Sequence, residues 1–219
     1  MTAGVQDQGD EWSTIFEKRG YLRLDEARLR AWIAANRAFF AALTALSGPD
    51  ASGSGKTLLD IGSGPGRHAC GAAWLGYRVL GIDLDPAMHA AATANARAVV
   101  PAADIDFRLM DAAEAERALG GRTFDVVTHG GLLEHLPTAA AMTAELRRHL
   151  TLAPNVVFDV PVRTPRNEAL FAADAVFRHV WDADQWLATV LAEFTVVSSE
   201  VETRTDPGMT DDLVVWLRE

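Results

Sequence analysis

The chain has 219 residues, 49% of them apolar, a net charge of −10 and one cysteine, which allows a single ordinary domain with a sizeable core and modest additions. The acidic balance argues against broad binding to nucleic acid or to an acidic membrane surface, although a local pocket for a small anion remains compatible with it. No apolar run approaches the ~20 residues of a membrane span, the polar start MTAGVQDQGDEW is unlike a secretory leader, and the lone Cys70 rules out an internal disulfide, so a cytoplasmic protein is expected.

A short helix is expected between Trp12 and Gly20. A longer one is expected over Asp25 to Leu46, where Leu29, Trp32, Ile33, Asn36, Phe39, Phe40, Leu43 and Leu46 recur at helical spacing. Asp25 is its expected N-cap. SGPDASGSG then interrupts the chain, and from Thr57 strands alternate with helices. TLLDI, RVLGIDL, IDFRLMDA, FDVVTHGG and NVVFDVPV read as five successive strands. Helices are expected from about Arg67, over Pro86 to Val99, near Glu114 to Leu119, over Thr138 to Leu150 and over Ala183 to Glu193. Such alternation predicts a parallel sheet covered on both faces. FTVVSSEVET and DLVVWLRE close the chain. Only RTDPGMTD separates them, too short for a crossover helix, so these two strands are expected to pair antiparallel.

Two glycine-rich loops flank the first strand. The first, ending in Gly55-Lys56-Thr57, carries Asp50 where a phosphate-binding loop needs glycine, and it precedes the strand instead of following it; it reads as a linker. The second, Gly62-Ser63-Gly64-Pro65-Gly66, follows a strand and opens a helix, where glycines let a ligand approach the backbone. Asp83 ends the next strand and suits ribose hydroxyls. Asp60, just before the loop, would repel a pyrophosphate but suits a cofactor carrying an ammonium group. Arg67 stands where a dinucleotide fold wants a small residue, and Asp111, ending the third strand, suits an adenine amino group.

The stretches LLDIGSGPGRHA, VLGIDLDPAM, FRLMDA and FDVVTHGGLLEHL, in this order and spacing over Thr57 to Val162, resemble the successive motifs of class I S-adenosylmethionine-dependent methyltransferases. The resemblance implies an α/β, Rossmann-like three-layer sandwich. Its seven-stranded sheet would be mostly parallel with an antiparallel last strand. Residues 1–50 would form a helical cap and 51–219 the methyltransferase domain. It implies S-adenosylmethionine as cofactor, held by Asp60, Gly62, Ser63, Gly64, Gly66, His68, Asp83, Leu84, Asp111, Ala112, His129 and Gly130. Ser63 departs from the cysteine many relatives carry there.

Methyl transfer needs alignment and exclusion of water, and for an alcohol or phenol also a base. His129 is the expected base. Substrate contacts are expected from Tyr21 in the cap, from His135, and from Arg163, Arg166, Arg178 and His179. Arginine forks suit carboxylates and phosphate-like groups. His89 and His149 read as surface positions, and no histidine spacing suggests a metal. The expected activity is methyl transfer to a small molecule, at oxygen and on an anionic carboxylate or phosphonate of secondary metabolism such as antibiotic biosynthesis. Nitrogen or carbon methylation, an NAD-dependent oxidoreductase and a silent nucleoside-binding protein are the alternatives. Oligomeric state is not legible.

Overall fold

The structure, a computed structural model, describes residues 14, 16–18, 20–48, 55–119, 121, 123–171, 181–204 and 209–219. Asp25 caps α1 (Glu26–Ala35) by accepting from the Arg28 backbone N–H at 2.8 Å. The single helix expected over Asp25 to Leu46 is broken at Asn36, which stands at φ −111°, ψ 47° before α2 (Arg37–Ser47). The Asn36 side chain donates to the Trp32 carbonyl at 2.8 Å. This local side-chain bond competes with continuation of the helix.

The sheet strands are β1 (Thr57–Ile61), β2 (Arg78–Asp83), β3 (Ile105–Leu109), β4 (Val126–Gly130), β5 (Asn155–Pro161), β6 (Thr195–Glu202) and β7 (Asp212–Arg218). Their spatial order is β3-β2-β1-β4-β5-β7-β6. β1 to β5 pair in parallel, and β7 runs antiparallel to both β5 and β6. The intervening helices are α3 (Arg67–Trp74), α4 (Pro86–Val99), α5 (Ala115–Ala118), α6 (Ala139–Leu152), α7 (Pro165–Phe171) and α8 (Ala183–Thr189). Helix α7 had no expected counterpart, and α8 stops short of Glu193.

Alternation along the strands divides the core in two. Leu59, Ile61, Val127 and Phe158 face α6 and α8, with Met142, Leu146 and Trp186. Leu58, Val79, Val126 and Val157 face the other layer, with Phe39, Phe40 and Leu43 of α2 and Cys70 of α3. Cys70 is buried, and burial pushes its thiol up to about 12, so it behaves as a core residue. The N-terminal helices thus share a core with the sheet. Among the described residues, no helix is long and apolar enough to cross a membrane.

Buried Asn95 on α4 ties the segment before α1 to the loop after β1. It accepts from Leu24 N–H at 2.9 Å and donates to the carbonyls of Leu22 at 3.0 Å and Pro65 at 2.8 Å. Asn95→Ala should cost about 2–3 kcal/mol, because it strands buried backbone groups. Denaturant unfolding checks the magnitude, and hydrogen exchange should show faster exchange at residues 22–24.

Candidate active site

The loop after β1 turns through Gly62, Gly64 and Gly66, all at positive φ. At Gly66 the requirement is packing as well as conformation: with φ at 80°, a Cβ would lie 3.1 Å from Ala92 Cβ on α4 and 3.0 Å from the Phe107 ring. Asp83, at the tip of β2, holds the loop by accepting from Gly64 N–H at 2.7 Å and from Asp85 N–H at 2.8 Å. Burial raises the Asp83 carboxyl above its ordinary range. Asp60 lies beneath the loop, 1% exposed, accepting from the Thr128 hydroxyl at 2.8 Å. Burial pushes it up to about 7, and its Oδ2 has no hydrogen-bond partner.

A cavity of about 180 Å³ opens above the ends of β1, β4 and β5. Gly62, Ser63, Gly64, His68 and Gly130, expected at the cofactor, line it, as do Tyr21 and His135, expected at the acceptor. Asp60, Gly66, Asp83, Leu84, Asp111 and Ala112 lie outside its lining. Leu84 and Leu109 are large apolar side chains, 50% and 53% exposed, beside the tips of β2 and β3.

His129 does not face the cavity. It is fully buried on the α6 side, stacked on Phe158 with centroids 4.8 Å apart and 5.1 Å from the ring of His149. Strand parity puts it on the face of Val127, opposite Thr128 and Gly130. Burial first, then His149 and His68, hold it well below its ordinary value; the expected base thus lies away from the cavity lining. His149 is also buried, not a surface residue, and pairs with Glu145 at 2.9 Å. His89 is half-buried, 3.2 Å from the Phe107 carbonyl.

Arg163 and Arg166 are absent from the cavity lining; Arg166 hydrogen-bonds the Arg204 carbonyl and lies 3.6 Å from Asp211. Arg178 and His179 lie outside the described residues. Other residues take their place: Trp32, Asn36, Glu134, Asp159 and Asp212 line the cavity. Asp159 interrupts an otherwise apolar strand, which was a readable signal.

Behind this wall sits Arg204, its side chain fully buried. It donates to Glu202 at 2.7 Å, to Asp212 at 3.1 Å and to the Ala35 carbonyl, and lies 3.9 Å from Asp159. Burial works against its charge, but Asp212, Asp159 and Glu202 outweigh that and raise its pKa. Burial first, then Asp212, push Asp159 up to about 8, against the pull of Arg204. His68 Nε2 lies 3.7 Å from Asp159, and the ring stacks on Phe39 at 4.3 Å. Burial, then Arg204 and Arg67, lower His68 to about 3, so it is neutral. Gly130 makes room for it, since a Cβ there would lie 2.5 Å from the His68 ring.

Arg67 joins the N-terminal segment to the helix that follows the glycine loop. Its guanidinium lies 4.1 Å from the Tyr21 ring centroid and 4.7 Å from that of Trp32, and its Nε donates to the Tyr21 carbonyl at 3.0 Å.

Residues 58–152 match the family described as a methyltransferase domain. Over these residues the chain is similar to methyltransferase domains. Its curated relatives include a ubiquinone biosynthesis O-methyltransferase of Nitrosococcus oceani, 33% identical over 116 residues, which cover 53% of this chain and 48% of that protein. An uncharacterized methyltransferase of Mycobacterium avium is 33% identical over 129 residues, covering 58% and 48%. The chain thus spans about half the length of these relatives. Among solved structures, magnesium protoporphyrin IX methyltransferase from Synechocystis PCC 6803 with bound SAM aligns over 100% of both chains with a TM-score of 0.70 and 18% identity. That likeness shows that the methyltransferase domain shares its fold.

Arg204→Met should destabilise the domain by about 3–5 kcal/mol near pH 8. An acid whose folded pKa is raised stabilises fully below its unfolded value and loses that contribution as pH rises through the folded value. Removing Arg204 raises Asp159 further, so the deficit against wild type should grow as pH rises through about 8, where the wild-type Asp159 ionises and that of the variant does not, measured by urea unfolding from about pH 7 to about 9.5. Gly130→Ala should disturb His68 and weaken ligand binding at the cavity, as read by calorimetry.

Proposed function

We propose that the protein transfers the methyl group of S-adenosylmethionine to a small-molecule acceptor under a cap formed by residues 1–50. The observation that carries this reading is the junction of the glycine loop, held by Asp83, with a cavity walled by the N-terminal segment. The residues present fit the cofactor. Asp83 offers carboxylate oxygens beside backbone already turned at positive φ. Exposed Leu84 and Leu109 give a base an apolar seat next to Asp111. Buried Asp60, with an unpartnered oxygen, places acidic character beneath a cationic amino acid moiety.

When bound, S-adenosylmethionine supplies a methyl group activated by the sulfonium's positive charge. The chain itself has to position the acceptor and exclude water. Phe16, Tyr21 and Trp32 cover the cavity with aromatic surface, and Arg67 holds that cover on the loop. Oxygen is the acceptor atom we favour, because the relatives include proteins named as ubiquinone biosynthesis O-methyltransferases. The anionic acceptor expected from the arginines finds no support in a cavity whose wall carries Glu134, Asp159 and Asp212.

Calorimetry with S-adenosylhomocysteine tests the proposal: the wild type should bind it, and Asp83→Ala should weaken binding about tenfold or more, the loss expected when hydrogen bonds to a charged group disappear. NADH should not compete. Absence of binding by the wild type would overturn the reading.

A further inference from the structure

The cavity wall opposite the glycine loop is built of acids. Glu134, Asp159 and Asp212 come from the turn after β4, the end of β5 and the start of β7, and are 1%, 6% and 8% exposed. Asp159 and Asp212 share the buried Arg204 with Glu202 and the Ala35 carbonyl. Arg67 lines the cavity, but it is engaged with the carbonyl and ring of Tyr21 and the ring of Trp32. His135 lies 3.7 Å from Glu134. One shared guanidinium thus serves Asp159, Asp212 and Glu202 together.

A second observation points the same way. Glu134 Oε2 and Asn36 Oδ1 belong to side chains each 1% exposed, both residues line the cavity, and neither atom has a hydrogen-bond partner. Both are acceptors. A buried acceptor without a donor is unfavourable unless a ligand supplies one. Phe16, Tyr21 and Trp32 add aromatic surface to the lining; burial raises the Glu134 and Asp159 carboxyls, and an ammonium group beside them favours their ionised form while the aromatic faces also suit it.

We propose that the acceptor carries a protonated amine, anchored by Glu134, Asp159 and Asp212, and is methylated at a separate oxygen, whose bond to the methyl carbon forms as the S–C bond of the sulfonium breaks and whose proton leaves to water. The ammonium is the anchor and not the methylated atom, because a protonated nitrogen has no lone pair with which to attack. The acceptor class is therefore amino-bearing hydroxy compounds, in place of carboxylates or phosphonates. This rests on the methyltransferase reading above.

The test uses the full chain saturated with S-adenosylhomocysteine, which lacks the sulfonium charge and, with its own ammonium group, fills the cofactor side, so that the probe's amine reports on the acceptor side. Three matched probes are titrated by calorimetry: tyramine, its neutral counterpart 4-(2-hydroxyethyl)phenol, and anionic 3-(4-hydroxyphenyl)propionate. Tyramine should bind about tenfold or more tightly than either, as expected for a charge-assisted contact. Glu134→Gln and Asp159→Asn should reduce that preference toward unity while S-adenosylhomocysteine still binds, which also reports that the variants are folded. If they do not fold, the wild-type ranking alone decides. Equal affinities, tighter binding of the propionate, binding of none of the three, or an amine preference intact in both variants overturns the proposal. Failure of S-adenosylhomocysteine itself to bind overturns the methyltransferase reading and the acceptor with it; its binding without amine preference overturns the acceptor alone.

Discussion

The direction change at β1 governs the rest of the molecule. From β1 the chain runs outward through β2 to β3, then crosses back to lay β4 and β5 on the other side. Crossovers on opposite sides leave a crevice at the carboxyl ends of β1 and β4. Backbone there ends in the glycine loop on one side and in Gly130-Gly131 on the other, both lining the cavity. Everything that touches the cavity arrives because a connection passes over that crevice. His68 comes with the first turn of α3, Glu134 with the turn after β4, and Asp159 with the last pairs of β5.

A second constraint is the burial of Arg204. A fully desolvated guanidinium is tolerable only with partners on several sides. Glu202 and Asp212 supply them from the hairpin strands, and Ala35 supplies a carbonyl from the end of α1. Glu202 also accepts from the Ala38 backbone N–H at 3.1 Å. The same cluster therefore fastens the break between α1 and α2 to the edge of the sheet and sets the position of Trp32 and Asn36 over the site. Because Asp159 and Asp212 are both partners of Arg204 and part of the cavity wall, the chemistry of the wall is inseparable from the packing of the α1–α2 break.

Much of the fold was legible because it rests on local pattern. Apolar strands alternating with helical segments specified a parallel sheet, and a connection as short as RTDPGMTD left only an antiparallel closing pair. The break at Asn36 was hidden, since the apolar spacing runs on through it and only the side-chain bond to Trp32 interrupts the helix. Parity along β4 is readable, yet the family resemblance implies His129 at the cofactor; the alternation from Val127 sends it to the α6 layer. For the arginines of the stretch after β5, sequence shows that cations are present but not where their partners lie: Arg166 meets the Arg204 carbonyl and Asp211 from a distant part of the chain.

By itself, then, the sequence determined the alternation of elements, the turn that follows β1 and the acidic strand tips at Asp60, Asp83 and Asp111, all consequences of periodicity and of residues close together along the chain. Only the tertiary structure decided what faces the cavity. Arg204 meets Ala35 across 169 positions, and Asp159 meets the ring of His68 from a different strand and helix. Such meetings depend on which faces pack together, and burial then sets the charge of the groups involved, neither of which local spacing encodes.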